Sequence, residues 1–547
     1  MKNVTTGIVS RCLTRYQLIL NTSKSTKIVF HMMLLKAFAF ITVVFLGTCE
    51  NARILGVFPM GSISHQILAY KLMKGLAEAG HDVTMVSTSY PHRDLPENGT
   101  YTEIILDGHA EYFEQIMKTF DVLNSNAGVI QRFSLMLNYI LEGTNMTLNH
   151  PKVKQLINSG KTFDLFITEY FLNEPILIFS HIFNCPMVLL NSLGITPPIN
   201  TITGNPQPIS YISQESSGNF NETLSFIDRL QNLFVYVMLG GMRSYYLLPK
   251  QNELLQTLYP NSPSVYELLD RVELVLLNSH ISTNAAVHLV PNMVEIGGYF
   301  VDPPKPLPSD LQNFMDGAQE GVIYFSLGSN AKSKDMAPER KEMFFNVFRR
   351  LKEKVIWKFE EDLPHKPENV LIQKWCPQQD ILAHPNVKLF ITHGGLLSTT
   401  ETIYHGVPIL AIPIFADQPA NAARAVAGGY GLSINYKDNF TEAQLDHLVH
   451  ELLHNPKYRE NAQKRAKLYH DRIMKPMETA VYWMEHVIRH GGVSHLKVAG
   501  IKLPWYKYYM MDVIVFLALI VALFYFILKV VVQKLLRSCQ FKKQKSE

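Results

Sequence analysis

Cysteine is scarce in this chain, with five in 547 residues, and only Cys185 and Cys376 fall between its two ends. A body of that length without disulfides must stand on its apolar cores, and the length exceeds what one compact core holds. Basic runs are missing from the body as well. Residues 1–31 carry Lys2, Arg11, Arg15, Lys24 and Lys27 without an acid, and residues 529–547 carry six cations against Glu547. The net charge of +4 therefore leaves about −6 between them. Nucleic-acid binding needs a basic face that such a body does not offer. Gly-x-Gly-x-x-Gly after a first strand and the Gly-x-x-x-x-Gly-Lys-Ser/Thr loop are both absent, which disfavours a dinucleotide oxidoreductase or a P-loop enzyme.

What is present begins with topogenic ends. Residues 32–47 form an apolar run broken only by Lys36, with the small residues Gly47 and Cys49 beyond it, so residues 1–49 read as a secretory signal segment. Its n-region is long, and Met32 and Met33 are alternative starts. Residues 510–532 read as a transmembrane helix: Met510–Leu528, apolar apart from Asp512, covers about 28 Å, the thickness of a bilayer core. Trp505, Tyr506, Tyr508 and Tyr509 precede it as an aromatic belt, and the basic tail 533–547 follows it. The expectation is a single-pass protein with a lumenal body and a cytosolic tail. Lys543 and Lys545 resemble a Lys-x-Lys-x-x signal for the endoplasmic reticulum. Sequons at Asn98, Asn145, Asn221 and Asn439 suit that topology.

Between the ends, apolar runs alternate with helical patterns. Ile54–Phe58, a turn at Pro59–Ser62, helically spaced Ile67, Leu68, Leu72 and Leu76, Gly80 and then Val83–Val86 compose a βαβ unit. Leu165–Thr168, Met187–Leu190 and Leu274–Leu277 extend the same sheet. After Pro303, Pro304, Pro306 and Pro308 the pattern restarts at Val322–Ser326 and continues through Val355–Trp357, Val370–Ile372, Leu389–Thr392 and Ile409–Pro413. The spans predicted are an N-terminal Rossmann-like domain at 50–300, a proline-rich linker at 301–308 and a second Rossmann-like domain at 309–505. Parallel sheets joined this way leave a cleft at their carboxyl ends.

From Trp375 to Gln418, 44 residues hold polar and small side chains where an ordinary α/β domain needs none. Trp375, Pro377 and Gln378 follow a strand; His393-Gly394-Gly395 joins a strand to a helix bearing Ser398 and Glu401; Asp417 and Gln418 follow the next strand. This box closely resembles the signature of the UDP-glycosyltransferases, which include animal UDP-glucuronosyltransferases and UDP-glucosyltransferases. The signal segment, Ser62-Ile63-Ser64-His65, the proline linker and the C-terminal anchor extend the resemblance over nearly the whole chain. It implies a GT-B fold, two Rossmann-like domains facing a cleft, with a single C-terminal transmembrane helix. It further implies inverting transfer of glucose or glucuronic acid from UDP-glucose or UDP-glucuronate to small lipophilic alcohols or phenols.

The chemistry of the box fits that role. Trp375 offers a face for uracil, with Gln378 beside it. His393 with the backbone of Gly394 and Gly395 lies at a helix N-terminus, where N–H groups and the dipole favour a pyrophosphate, and Ser329 adds a donor. By resemblance Glu401 takes the ribose, Ser398 lies beside it, and Asp417 and Gln418 bind the donor sugar. No Asp-x-Asp occurs, so a metal bridging the pyrophosphate is not indicated; by the resemblance no cofactor is expected, the UDP-sugar being a co-substrate.

His65 is the implied base, since an imidazole with a pKa near 6.5 can take a hydroxyl proton at neutral pH. The resemblance also calls for a carboxylate to orient it, and here the chain departs from the common pattern: Glu169 stands where many relatives carry Asp, with Asp164 as the fallback. A membrane-anchored UDP-sugar-binding protein without catalysis and a lipophile-binding partner are the alternatives. A homo-oligomer is compatible with this reading.

Overall fold

A computed structural model describes residues 51–88, 96, 99–121, 123, 129–212, 224–284 and 286–544. The expected signal segment and the sequons Asn98 and Asn221 lie outside these residues. Two all-parallel sheets organise the rest. The first contains β1 (Arg53–Phe58), β2 (Asp82–Ser87), β3 (Thr100–Ile105), β4 (Leu165–Glu169), β5 (Met187–Asn191), β6 (Val272–Leu277) and β7 (Met293–Glu295), in the order β3-β2-β1-β4-β5-β6-β7. The second contains β8 (Val322–Ser326), β9 (Lys354–Lys358), β10 (Val370–Gln373), β11 (Val387–Thr392), β12 (Ile409–Ala411) and β13 (Gly431–Ser433), in the order β10-β9-β8-β11-β12-β13.

Both orders reverse direction beside the first strand of their half, so each sheet has a switch point where ligands bind. Strands β1, β4, β5 and β8 are buried almost throughout, as runs covered on both faces by helices must be. Two clusters flank the first sheet, one containing Leu55, Val57 and Phe166 and the other Ile54, Phe58 and Leu165. The second sheet is sandwiched likewise, with Phe325 and Trp357 on one side and Tyr324 and Phe390 on the other. Gly56 admits the helix Ile63–Glu78 closely, since a Cβ there would lie 2.6 Å from the Met73 side chain.

Residues 301–308 contain neither helix nor strand. After the helix Pro456–His470 the chain crosses back, whereas the span 309–505 expected from sequence runs on without a break. The helix Pro476–His490 packs on the first sheet, placing Ala480, Met484 and Val487 in the core with Ile54 and Leu76. Glu273 secures the return, accepting from the Val493 N–H at 2.7 Å and the Lys497 ammonium at 2.8 Å. The physical reason is the apolar face of that helix, which completes the first half's core.

The helix Met511–Gln544 ends the described chain. Its stretch Met511–Ser538 contains an 18-residue window of mean hydropathy 2.9 that buries nothing against the body. It is the one helix among the described residues long and apolar enough to cross a membrane.

Candidate active site

A cavity of about 700 Å³ lies between the two sheets and draws its lining from both. That is ample for a nucleotide-sugar and a small acceptor. The turns after β1, β8, β11 and β12 all supply wall residues, as carboxyl-terminal strand ends do in open parallel sheets. The halves touch at its rim: the Asn330 amide donates to the Ser62 hydroxyl at 3.2 Å, and Lys71 pairs with Asp302.

On the first half, the helix Ile63–Glu78 presents His65 in its opening turn. Glu169 ends β4 immediately alongside, because β4 pairs in parallel with β1. The His65 Nδ1 lies 2.5 Å from Glu169 Oε1, so Nε2 is the ring nitrogen left for the cavity that His65 lines. Phe171 packs edge-on to the imidazole at 5.1 Å. Burial disfavours the imidazolium, but the Glu169 carboxylate outweighs it and Asp417 adds to it from across the cleft. The pKa of His65 therefore lies above its usual value. The extra methylene of Glu169 has not broken the contact. Asp164 sits at the opposite end of β4, accepting from the Arg53 N–H at 2.7 Å, so it caps the sheet rather than orienting the histidine.

On the second half the box converges. Trp375 lines the cavity with 41% of its surface exposed. The Gln378 amide donates to Glu401 at 2.5 Å and to the Ser398 hydroxyl at 3.1 Å, and the Gln379 amide donates to the other Glu401 oxygen at 3.0 Å. Burial pushes the Glu401 carboxyl up to about 7, the two amides opposing it only in part. His393 is wedged between glycines: a Cβ on Gly328 or Gly395 would lie 2.5 or 2.6 Å from its ring. Burial and the neighbouring Lys358 ammonium lower its pKa to about 4, so its ring is neutral near pH 7. Ser329 and Gly395 also line the cavity.

Three positions differ from the simple picture drawn from sequence. Gly394 is absent from the cavity wall. Its N–H is turned to the Thr392 hydroxyl at 3.3 Å and its carbonyl accepts from Asn421 at 2.9 Å, while its φ of +80° is what demands glycine. Gln418 spends its side-chain oxygen on the Ile414 and Phe415 N–H groups at 2.8 and 3.1 Å, leaving its NH₂ group for a ligand. Asp417 accepts from the Leu396 N–H at 3.2 Å and from Asn421 at 2.6 Å, with burial raising its pKa.

Sequence reasoning passed over Gln379, Lys358 and Asn421. Each lies within or beside the box, and only their contacts mark them out. Of the two sequons described, Asn439 is exposed and Asn145 lies within the helix Val129–Asn149.

A two-sheet α/β protein whose cleft sets a histidine–carboxylate pair opposite a glycine-flanked histidine turn is the class this geometry defines. Solved structures agree on the fold. The spinosyn forosaminyltransferase SpnP aligns with a TM-score of 0.54 at 13% identity, over 80% of this chain and all of that one. A kitacinnamycin glycosyltransferase aligns with 0.53 at 16% identity, over 80% of this chain and 99% of that one. Both are glycosyltransferases of GT-B architecture.

The family model described as "UDP-glucoronosyl and UDP-glucosyl transferase" matches residues 53–546, and the chain belongs to that family of UDP-glycosyltransferases. UDP-glycosyltransferase UGT5 of Dactylopius coccus is 37% identical over 88% of this chain and 92% of its own length. UDP-glucuronosyltransferase 2C1 of Oryctolagus cuniculus is 30% identical over 85% and 95%. The human 2-hydroxyacylsphingosine 1-beta-galactosyltransferase is 30% identical over 88% of each chain. The protein is a glycosyltransferase that uses a UDP-sugar.

Proposed function

We propose that the enzyme transfers glucose, or alternatively glucuronic acid, from its UDP-sugar to the hydroxyl of a small lipophilic alcohol or phenol, with inversion at the anomeric carbon. The observation that carries the mechanism is the His65–Glu169 pair at 2.5 Å on the cavity wall. Nε2 of His65 takes the acceptor proton, and Glu169 holds Nδ1–H and stabilises the imidazolium that forms. The acceptor oxygen bonds to the anomeric carbon as the bond from that carbon to the phosphate oxygen breaks, and UDP leaves with the electron pair. Its charge meets the N–H groups of the first turn of the helix Leu396–His405, with His393 and Ser329 beside them. Trp375 stacks on uracil, Glu401 with Ser398 and Gln378 takes the ribose, and Asp417 and Gln418 hold the sugar.

Glucose is favoured over glucuronate on charge. Of the three wall lysines, Lys71 and Lys358 are held by Asp302 and Glu360 while Lys305 stands close to Asp302 in the chain order of the rim, and Asp417 at the sugar end repels a second carboxylate. The apolar wall formed by Phe113, Met117, Met136 and Phe171 favours a lipophilic acceptor. Anchoring through Met511–Ser538, with the body in the lumen of the endoplasmic reticulum, completes the reading. UDP-glucose and UDP-glucuronate offered together with a phenol test it. Mass spectrometry is expected to find the glucoside in excess with an inverted anomeric centre, and a glucuronide in excess would refute the donor assignment.

A further inference from the structure

The helix Phe226–Met242 is inside out for a soluble domain. Phe226, Ile227, Leu230, Leu233, Phe234, Val237 and Met238 are all exposed, Phe226 at 69% and Phe234 at 66%. At about 100° per residue they occupy one stripe about 140° wide. Asn232, on the opposite side, is buried instead, and its amide donates to the carbonyls of Ile209 at 2.6 Å and Ile212 at 2.8 Å. The helix is thus fastened through a polar side chain while its apolar face points away from the protein.

Its position says what covers that face. Tyr236, flanking the stripe, lies in the neighbourhood of Tyr508 and Tyr509, which stand directly before the apolar helix Met511–Gln544. The short helix Pro197–Thr203 packs against both the striped helix and the turn Ala499–Lys502, and Gly204 at its end abuts Val498 and Ile501. Exposed Trp505, Tyr506 and Tyr509 belong to the same region, together with exposed Lys502 and Lys507. Aromatic and basic residues beside an apolar stripe are the composition of a membrane interface. At the far end Arg243 pairs with the fully buried Glu174 at 2.9 Å and donates to the Tyr170 hydroxyl at 3.2 Å, which ties the helix to the segment following Glu169.

We propose that the helix Phe226–Met242 lies in the headgroup boundary of the same bilayer that the C-terminal helix crosses, as a second, monotopic contact that fixes the body's tilt on the membrane. The proposal rests on the reading that Met511–Ser538 spans that bilayer. Full-length protein with Cys12, Cys49 and Cys539 replaced by serine is labelled with bimane at Phe234→Cys, Leu519→Cys or Glu460→Cys and reconstituted in phosphatidylcholine vesicles with or without brominated acyl chains. Position 234 is 66% exposed, so its substitution leaves the fold intact. Loss of fluorescence at 234 and 519 in brominated vesicles, with none at 460, is expected. Quenching at 519 without quenching at 234 would overturn the monotopic contact and leave the anchor standing. Absence of quenching at 519 would overturn both. A signal at 234 that ignores brominated lipid but changes with protein density would assign the stripe to a second copy of the chain and overturn the proposal.

Discussion

Two histidines face the cleft from opposite halves, and their surroundings push them in opposite directions. His65 lies against a carboxylate and its pKa rises; His393 lies beside an ammonium and its pKa falls to about 4. Both are at strand-to-helix junctions and both lose water, so burial alone cannot separate them. The neighbouring charge does. One ring gains affinity for a proton and the other is neutral near pH 7, which suits the separate roles proposed for them.

Removing each ring breaks the comparison most sharply. His65→Ala is expected to lower kcat by about 10²–10⁴-fold while leaving the KM for the UDP-sugar near wild type, measured by steady-state kinetics. Activity retained within a few-fold would remove His65 as the base. His393→Ala is expected to act on the donor instead, raising its KM by about 10- to 100-fold, as loss of a hydrogen bond to a charged group does. Trp375→Ala tests the same half through stacking. A loss of about 1–3 kcal/mol should appear in UDP affinity by calorimetry and leave the acceptor KM unchanged.

Stability gives the smallest and most specific signal. An unfolded histidine titrates near 6.5, and folded His393 refuses the proton until about pH 4. The unfolded state therefore binds more protons in that window, and stability contributed by neutral His393 is lost as pH falls from about 6.5 to 4. Denaturation midpoints of His393→Gln should fall less steeply than wild type over that range.

The strands of both halves were legible because they are apolar runs buried on both faces. β3, β7 and β13 were not. Thr100–Ile105 is a half-exposed edge strand, and Met293–Glu295 and Gly431–Ser433 are three-residue edges with too little sequence to show a period. Of the site, the residues that carry the resemblance were readable from the chain, and the structure brings His65 to Glu169 and Gln378 to Glu401. The supporting contacts were not readable, because Gln379 on Glu401 and Lys358 beside His393 are pairings across sequence that follow no spacing rule. The return of the helix Pro476–His490 to the first sheet was hidden for the same reason: amphipathicity states that a face will be buried, not against which sheet.

The central claim is that Glu169 raises the basicity of His65 and holds its ring toward the acceptor. The pH dependence of kcat/KM for wild type and Glu169→Gln tests it directly. Wild type should lose activity as pH falls through an acid limb above about 6.5, the ordinary histidine value. Glu169→Gln should be slower, with that limb displaced to lower pH, because the carboxylate that raises the His65 pKa is gone. An unchanged limb together with an unchanged rate would contradict the account.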